Sequence, residues 1–310
     1  MKIITLTLNP AFDTHCNIES LVLHHENFAK ITSTDAGGKG VNISRALTAN
    51  GVPNRAVVIT GTQNQALFLQ MLESEGLDIS SIEAKGRIRE NITVHETGKD
   101  ETRISFEGFS CDKSILDKVL EAIGNVDSDT VVTFTGSAPV GLLTEDISKL
   151  LQKLRDDGAK IVIDSRSFTP SDLVRFKPWL IKPNKDEAEA FANSPVTDVS
   201  SALKVAVDFY NKGIENVLIS LGADGAVLAC KDGVFHADAP KINAISTIGA
   251  GDSMIAGFIS GFAKGLDIQK TLSQAIAFGS AACLQEGTRA PERTDIEEII
   301  KNVKVSKVCD

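Results

Sequence analysis

The sequence predicts an α/β protein of three layers, α/β/α, with a mostly parallel central sheet and a small separate β-sheet. Three observations lead there. Beyond about residue 110, short β-branched runs alternate with longer segments of helical period, which is the pattern of a parallel sheet covered by helices. At 88–107 the texture changes: Ile92 and Val94 alternate with polar residues, Thr97-Gly98-Lys99-Asp100 supplies a turn, and Ile104 and Phe106 alternate again. That is an antiparallel hairpin, more amphipathic than the core strands. Finally, 310 residues at roughly 150 per domain allow two domains, or one large domain with an appendage.

Taken in order, the opening Met1-Lys2-Ile3-Ile4-Thr5-Leu6-Thr7-Leu8 alternates apolar residues with Thr before Asn9-Pro10. It lacks the longer apolar stretch and cleavage site of a signal peptide and reads as a first strand. Residues 12–35 read as an irregular stretch able to join the hairpin in a β lid. Runs at 130–134, 160–163, 179–181 and 216–219 read as strands buried on both faces. Between the first two, Leu143, Ile147, Leu150, Leu151 and Leu154 fall on one helical face, and Gly158 marks the stop. A further helix is expected over 272–284, with Cys283 as a small buried hydrophobe.

Composition narrows the function. Apolar residues make up 42% and charged residues 24%, ordinary for a globular protein that needs no staple. Acids outnumber bases 41 to 32, a formal charge of -9, and no basic run occurs. Nucleic acid and anionic membrane are therefore poor partners. Five scattered cysteines without a Cys-x-x-Cys pair read as a reduced, cytoplasmic chain. The longest apolar candidate, 253–263, is cut by Asp252 and Lys264, too short for a membrane span.

Two glycine clusters open helical patterns. Ala36-Gly37-Gly38-Lys39-Gly40-Val41-Asn42 runs into a helix ending near Gly51, and Ser246-Thr247-Ile248-Gly249-Ala250-Gly251-Asp252-Ser253-Met254 into one ending near Gly265. Glycine admits a ligand close to the backbone, and helix-start amides favour an anion. Neither cluster is a dinucleotide or Walker fingerprint: Ile43 and Met254 occupy the third glycine position, and no Gly-x-x-x-x-Gly-Lys-Ser/Thr string occurs. Asp252 at such a start can take a proton from an attacking hydroxyl, or it can simply cap the helix. Asn184 and Glu187, in Lys182-Pro183-Asn184-Lys185-Asp186-Glu187, can organise a hydrated Mg²⁺ or form a reciprocal capping box. Ser220-Leu221-Gly222-Ala223-Asp224-Gly225 closes a strand as a ligand loop or a tight hairpin.

Together these residues resemble the PfkB (ribokinase-like) family of carbohydrate kinases, in its phosphosugar branch with 1-phosphofructokinase and tagatose-6-phosphate kinase. Thr7-Leu8-Asn9-Pro10-Ala11-Phe12-Asp13, the Gly37 block, Thr135-Gly136-Ser137-Ala138-Pro139, Lys182-Pro183-Asn184, Ser220-Leu221-Gly222 and the Gly249 block occur in the family's order. The resemblance implies ATP-dependent phosphorylation of a ketohexose phosphate. Asp252 is then the base, with Gly249, Ala250 and Gly251 as the anion hole. Asp13, Gly37, Gly38 and Asn42 would bind the sugar, while Lys39, Arg89 and Ser137 hold its phosphate. Lys182, Asn184 and Glu187 would serve ATP and Mg²⁺, the metal through water, while Ser220, Gly222, Gly225 and Thr247 contact the nucleotide. Residues 1–11, 36–86 and 110–310 would form the α/β domain, and 12–35 with 87–109 the lid, through which two subunits can pair.

Phe106-Glu107-Gly108-Phe109, Phe28 after Asn27 and Pro178-Trp179-Leu180-Ile181-Lys182 favour fructose 1-phosphate as substrate. Asp164-Ser165-Arg166-Ser167 departs from the Asp-Ser-Ser-Arg order of that branch, and Gly287-Thr288-Arg289 resembles 6-phosphofructokinase relatives, leaving tagatose 6-phosphate and fructose 6-phosphate as alternatives. A non-catalytic sugar-phosphate sensor would not need Asp252, and a kinase of unphosphorylated sugars would not need Lys39 and Arg89.

Overall fold

The computed structural model describes residues 1–99 and 101–309. Strand β1 (Lys2–Thr7) leads into an antiparallel pair, β2 (Ala11–Ile18) and β3 (Lys30–Gly37), then helix α1 (Lys39–Ala49). Next come β4 (Arg55–Gly61), α2 (Gln65–Ser74), β5 (Ile79–Ala84) and the hairpin β6 (Arg89–Glu96) and β7 (Thr102–Ile104). Strand and helix then alternate through α3 (Ile115–Ile123), β8 (Thr130–Thr135), α4 (Thr144–Asp156), β9 (Lys160–Asp164), α5 (Pro170–Phe176), β10 (Leu180–Ile181), α6 (Lys185–Ala192), α7 (Val199–Asn211) and β11 (Asn216–Ser220). The chain folds back through β12 (Ala226–Cys230) and β13 (Gly233–Ala237) before α8 (Ala250–Ala263), α9 (Ile268–Ala282), α10 (Arg293–Ile299) and β14 (Val305–Cys309).

The large sheet has the order β14-β13-β12-β11-β10-β9-β8-β1-β4-β5. It is parallel from β11 to β5, with an antiparallel edge of β12, β13 and β14. All six residues of β8 are buried, as its continuous apolar character demands of a strand covered on both faces. One core layer joins Leu6, Ile59 and Phe134 of the sheet to Phe68, Ile147 and Phe209 of α2, α4 and α7. The other joins Ile3, Val131 and Leu218 to Ile43, Phe258 and Phe278 of α1, α8 and α9. The α/β/α sandwich is therefore present.

The small sheet has the order β3-β2-β6-β7. Residues 12–35, read from the sequence as irregular, in fact lie largely in two strands. Lys30, Ile31, Thr32 and Thr34 of β3 are exposed, so no apolar alternation marks it. The hairpin is where the sequence places it, with Ile92 opposite Ile104; Asp100, in its expected turn, lies outside the described residues. Among the described residues no helix is long and apolar enough to cross a membrane.

Because β8 joins β1 on the side away from β4, the connections diverge at that point, and the C-terminal ends of β1 and β8 are where sheets of this kind bind ligands. Helix α8 is set against this edge by close packing on α9. A Cβ at Gly257 would lie 2.6 Å from the Gln274 carbonyl oxygen and 2.9 Å from Ala275 Cα. Gly257→Leu should therefore lower stability by roughly 1–3 kcal/mol through overpacking. Thermal unfolding checks this, and an unchanged midpoint would show that the two helices can move apart freely.

Candidate active site

The sequence-marked residues gather at the C-terminal edge of β1, β8, β9, β10 and β11 and at the starts of α1 and α8. Helix α1 begins close under β1 because Gly38 adopts φ 128°, and a Cβ there would stand 2.6 Å from Thr7 Cγ2. Helix α8 begins after Gly249, at φ 77°. The Ala250 amide donates to the Thr247 carbonyl (3.3 Å), whereas those of Gly251 and Asp252 have no acceptor among the described residues. Two free amides at a helix start form an anion site.

Asp252 is buried in the first turn of α8, and its Oδ2 accepts a hydrogen bond from Asn42 Nδ2 at 2.9 Å. Burial pushes its pKa up to about 6 against the pull of Lys39, the Asn42 bond and Lys182, with Asp164 adding to the rise. Lys39 Nζ lies 3.0 Å from Asp164 Oδ2, and Lys182 Nζ 3.9 Å from the same oxygen. Burial alone would raise Asp164, but Lys182 and Lys39 outweigh it and hold the carboxyl below its ordinary value. Burial likewise opposes the Lys39 charge, and Asp164 with Asp252 more than restores it. The Lys182 ammonium crowds the start of α8, since a Cβ on Gly251 would lie 3.0 Å from Lys182 Nζ. Lys39 and Lys182 thus share one carboxylate, although the sequence assigns them to different ligands.

A second group forms under the small sheet. Arg89 Nη2 lies 3.4 Å from Ser137 Oγ and 3.2 Å from the Asn9 carbonyl oxygen, and Nη1 donates to the Phe106 carbonyl at 3.1 Å. Asn9 Nδ2 donates to Ser137 Oγ at 3.2 Å, while Asn9 Oδ1 and Arg89 Nε are buried without a partner. Orphaned polar atoms of this kind need an explanation, and a polar ligand supplies one. Asp13 Oδ1 accepts from Asn91 Nδ2 (2.9 Å) and Arg103 Nη2 (2.8 Å), and a side chain at Gly37 would run into the same carboxylate. His15, two residues on, is buried with its Nδ1 3.0 Å from His95 Nε2.

Along the other side, Asn184 and Ser220 form a parallel bridge at the ends of β10 and β11, and the Ser220 amide donates to the Pro183 carbonyl at 3.1 Å. Asn184 and Glu187 form the capping box: Oδ1 accepts from the Glu187 amide at 2.8 Å, and Oε2 from the Asn184 amide at 3.0 Å. Glu187 Oε1 remains outside the cap, 3.5 Å from Arg166 Nε. Among the described residues no three His, Cys, Asp or Glu side chains gather as a metal cage. These donors suit a Mg²⁺ that keeps its waters and rides on substrate phosphates. Gly225 is dictated by the hairpin, because a Cβ would strike the Ala237 carbonyl. Gly222 faces open space at φ 60°, and Thr247 is exposed.

Asn9, Asn91, Arg103 and Asp164 take part without having been singled out as site residues. Asp164 had a signal, since it ends a strand at the edge where α/β sheets bind ligands. Asn91 and Arg103 meet Asp13 only through the pairing of three strands.

A buried carboxylate, one buried and one partly exposed ammonium and free helix-start amides at the C-terminal edge of a parallel sheet define a phosphate-handling α/β protein. The profile of the pfkB family carbohydrate kinases matches residues 23–295. The chain is 31% identical over 309 residues to the 1-phosphofructokinase of Haemophilus influenzae, covering 99% of each chain. It is 28% identical to that of Bacillus subtilis, over 99% of this chain and all of the relative. Among solved structures, phosphofructokinase-2 from Escherichia coli in complex with fructose-6-phosphate superposes with a TM-score of 0.89 at 25% identity, over 97% of this chain and 98% of that one. The chain belongs to the pfkB family of carbohydrate kinases, and its fold is ribokinase-like.

The state of Asp252 has a measurable consequence for stability. A carboxyl raised from 3.8 to about 6 stabilises the fold when protonated. That contribution, about 3 kcal/mol, is present below the unfolded value and lost as pH rises through 6. Asp252→Asn should therefore be more stable than the parent at pH 8, with the difference shrinking towards pH 4. Equal differences at both pH values in thermal unfolding would exclude a raised pKa.

Proposed function

We propose that the chain is an ATP-dependent phosphosugar kinase that converts fructose 1-phosphate to fructose 1,6-bisphosphate. The observation that carries this reading is the Asp252 carboxylate, poised near neutral pH at the start of α8 beside Lys39 and Lys182. In the proposed reaction Asp252 takes the proton of the sugar hydroxyl, whose oxygen attacks the γ-phosphorus of ATP. The bond to the β–γ bridging oxygen breaks and ADP leaves. The Gly251 and Asp252 amides and the two ammoniums receive the negative charge spread over the transferring group, where such chemistry needs most help. Gly249 and Ala250 shape that anion hole.

In this reading Asp13, Gly37, Gly38 and Asn42 grip the sugar hydroxyls. Arg89 and Ser137, with Asn9, hold the phosphate already on the sugar, consistent with their orphaned polar atoms. Lys39 packs beside Gly136, next to Ser137, and its ammonium pairs with Asp164, so it joins Arg89 and Ser137 on the sugar's phosphate while facing the transferring phosphoryl group. Ser220, Gly222, Gly225 and Thr247 flank the nucleotide, and Lys182 lies against its phosphates. Mg²⁺, held through water by Asn184 and Glu187, would neutralise charge on the nucleotide.

Residues 12–35 and 87–109 act as a lid that excludes water as a competing acceptor. Leu23, Phe28 and Ile31 are exposed on this segment at 75%, 84% and 64%, which supports pairing of two lids in a homodimer. Free Cys16, Cys111, Cys230 and Cys283 are compatible with a cytoplasmic setting.

Fructose 1-phosphate is preferred because the relatives that cover nearly the whole chain carry the name 1-phosphofructokinase. The structural likeness to an enzyme bound to fructose-6-phosphate keeps that sugar, and tagatose 6-phosphate with it, as the second reading. A non-catalytic sensor would have no use for a buried base.

An ADP-release assay over the three sugar phosphates, fructose and ribose should show highest kcat/KM with fructose 1-phosphate; a higher value with another sugar would reassign the substrate. Asp252→Asn should keep ATP binding and lose a factor of roughly 10² to 10⁴ in turnover. Arg89→Ala should raise KM for the phosphosugar, with a loss of roughly 1.5–3 kcal/mol, and leave that for ATP near the parent value. If ATP binding weakened instead, the two pockets would be exchanged.

A further inference from the structure

Asn42 can hold Asp252 in only one of its two amide orientations. The Nδ2 end must face the carboxylate, because the Oδ1 end would repel it. What selects the orientation is Arg45, one helical turn along α1. Arg45 Nη1 donates to Asn42 Oδ1 at 2.9 Å, so the amide nitrogen is left pointing at Asp252. Arg45 is itself buried and held from four sides. Its Nε and Nη2 pair with Glu75 at the C-terminal end of α2, Nη2 donates to the Ala36 carbonyl, and Nη1 reaches the Thr288 carbonyl at 3.3 Å. A buried guanidinium with this fixed fork is a better orienting device than an ammonium.

We propose that Arg45 is a positioning residue for phosphoryl transfer: through Asn42 it fixes the hydrogen bond that keeps Asp252 ionisable, and Glu75 anchors it. Both partner atoms of Asn42 are defined by geometry, and the chain Glu75–Arg45–Asn42–Asp252 spans three helices. The inference rests on Asp252 as the base. The other groups acting on Asp252 are Lys39, Lys182 and Asp164, none of which touches Arg45.

The test is the pH profile of kcat in Arg45→Lys, which retains the charge and loses the fork. Without a fixed Asn42 bond the carboxylate is harder to ionise, so the acid limb should move to higher pH by about half a unit or more. At the parental optimum kcat should fall by roughly tenfold, with KM for ATP within about twofold. In an Asn42→Leu background the same substitution should add no further shift. Glu75→Gln, at a half-exposed position, should move the limb in the same direction by less, and it carries the test if Arg45→Lys does not fold. A limb that stays put in the folded variants, or a shift that adds fully to that of Asn42→Leu, would overturn the role of Arg45. If the unaltered enzyme showed no acid limb, Asp252 would fall as the base and this inference with it.

Discussion

Two ammonium groups, those of partly exposed Lys39 and buried Lys182, lean on one buried carboxylate, Asp164, and the charge arrangement of the site depends on that contact. A buried lysine without a partner sheds its proton, and a buried carboxylate without cations gains one. Lys182 and Lys39 hold the Asp164 carboxyl below its ordinary value, and Asp164 in turn favours the charge on Lys39. Asp252 sits as deeply but has a weaker share of the cations, with Asn42 as its hydrogen-bond donor, so burial wins and its pKa rises to about 6. Equal burial and unequal partners separate the two carboxylates into a permanent anion and a group able to accept a proton near neutral pH, a division of labour that acid–base catalysis requires.

That charge arrangement imposes steric conditions on the backbone. The Lys182 ammonium and the α8 amides occupy the same small volume, which is why Gly251 has no side chain to spare. The same logic applies where Asp13 meets Gly37 and where Thr7 meets Gly38. These are close approaches between segments distant in sequence, held in place by the packing of α8 on α9 and of α1 under β1. The bonds that fold the small sheet also fix one carboxylate in place: Asn91 of β6 and Arg103 of β7 both donate to Asp13 of β2. Folding of the small sheet and placement of Asp13 are therefore one event.

The parallel strands were legible because each is short, apolar and covered on both faces, so no competing period obscures it. Strand β10 shows the limit: Trp179 still donates its amide to Ile161, but Pro178 and Pro183 flank the run and only Leu180 and Ile181 remain in register. β3 was not legible, because its polar residues face solvent on a sheet too small to bury them. Strand β14 carries little signal for the same reason, pairing only at an edge. The glycine blocks and Asp252 stood out because their chemistry is local. Asn42 and Asp252, 210 positions apart, and Arg45 and Glu75, thirty apart, meet only through tertiary packing, and no spacing rule connects them.

The acidity of the chain is reconciled with polyanionic substrates at this same scale. A formal charge of -9 is spread over the whole surface, and at 0.1 M salt exposed charges are screened beyond about 10 Å. In the proposed reading, what a phosphate meets is the local set: Lys39, Lys182 and Arg89, the free amides of α8, and the two carboxylates. With Asp164 and Asp252 both ionised, the two lysines are just balanced. When Asp252 takes up the hydroxyl proton in the proposed reaction, that balance shifts by one positive charge. The shift comes as the attacking oxygen and the transferring phosphoryl group carry their greatest negative charge. The base thus does two things with one proton: it frees the nucleophile, and it leaves Lys39 and Lys182 less neutralised at the point where their charge lowers the barrier.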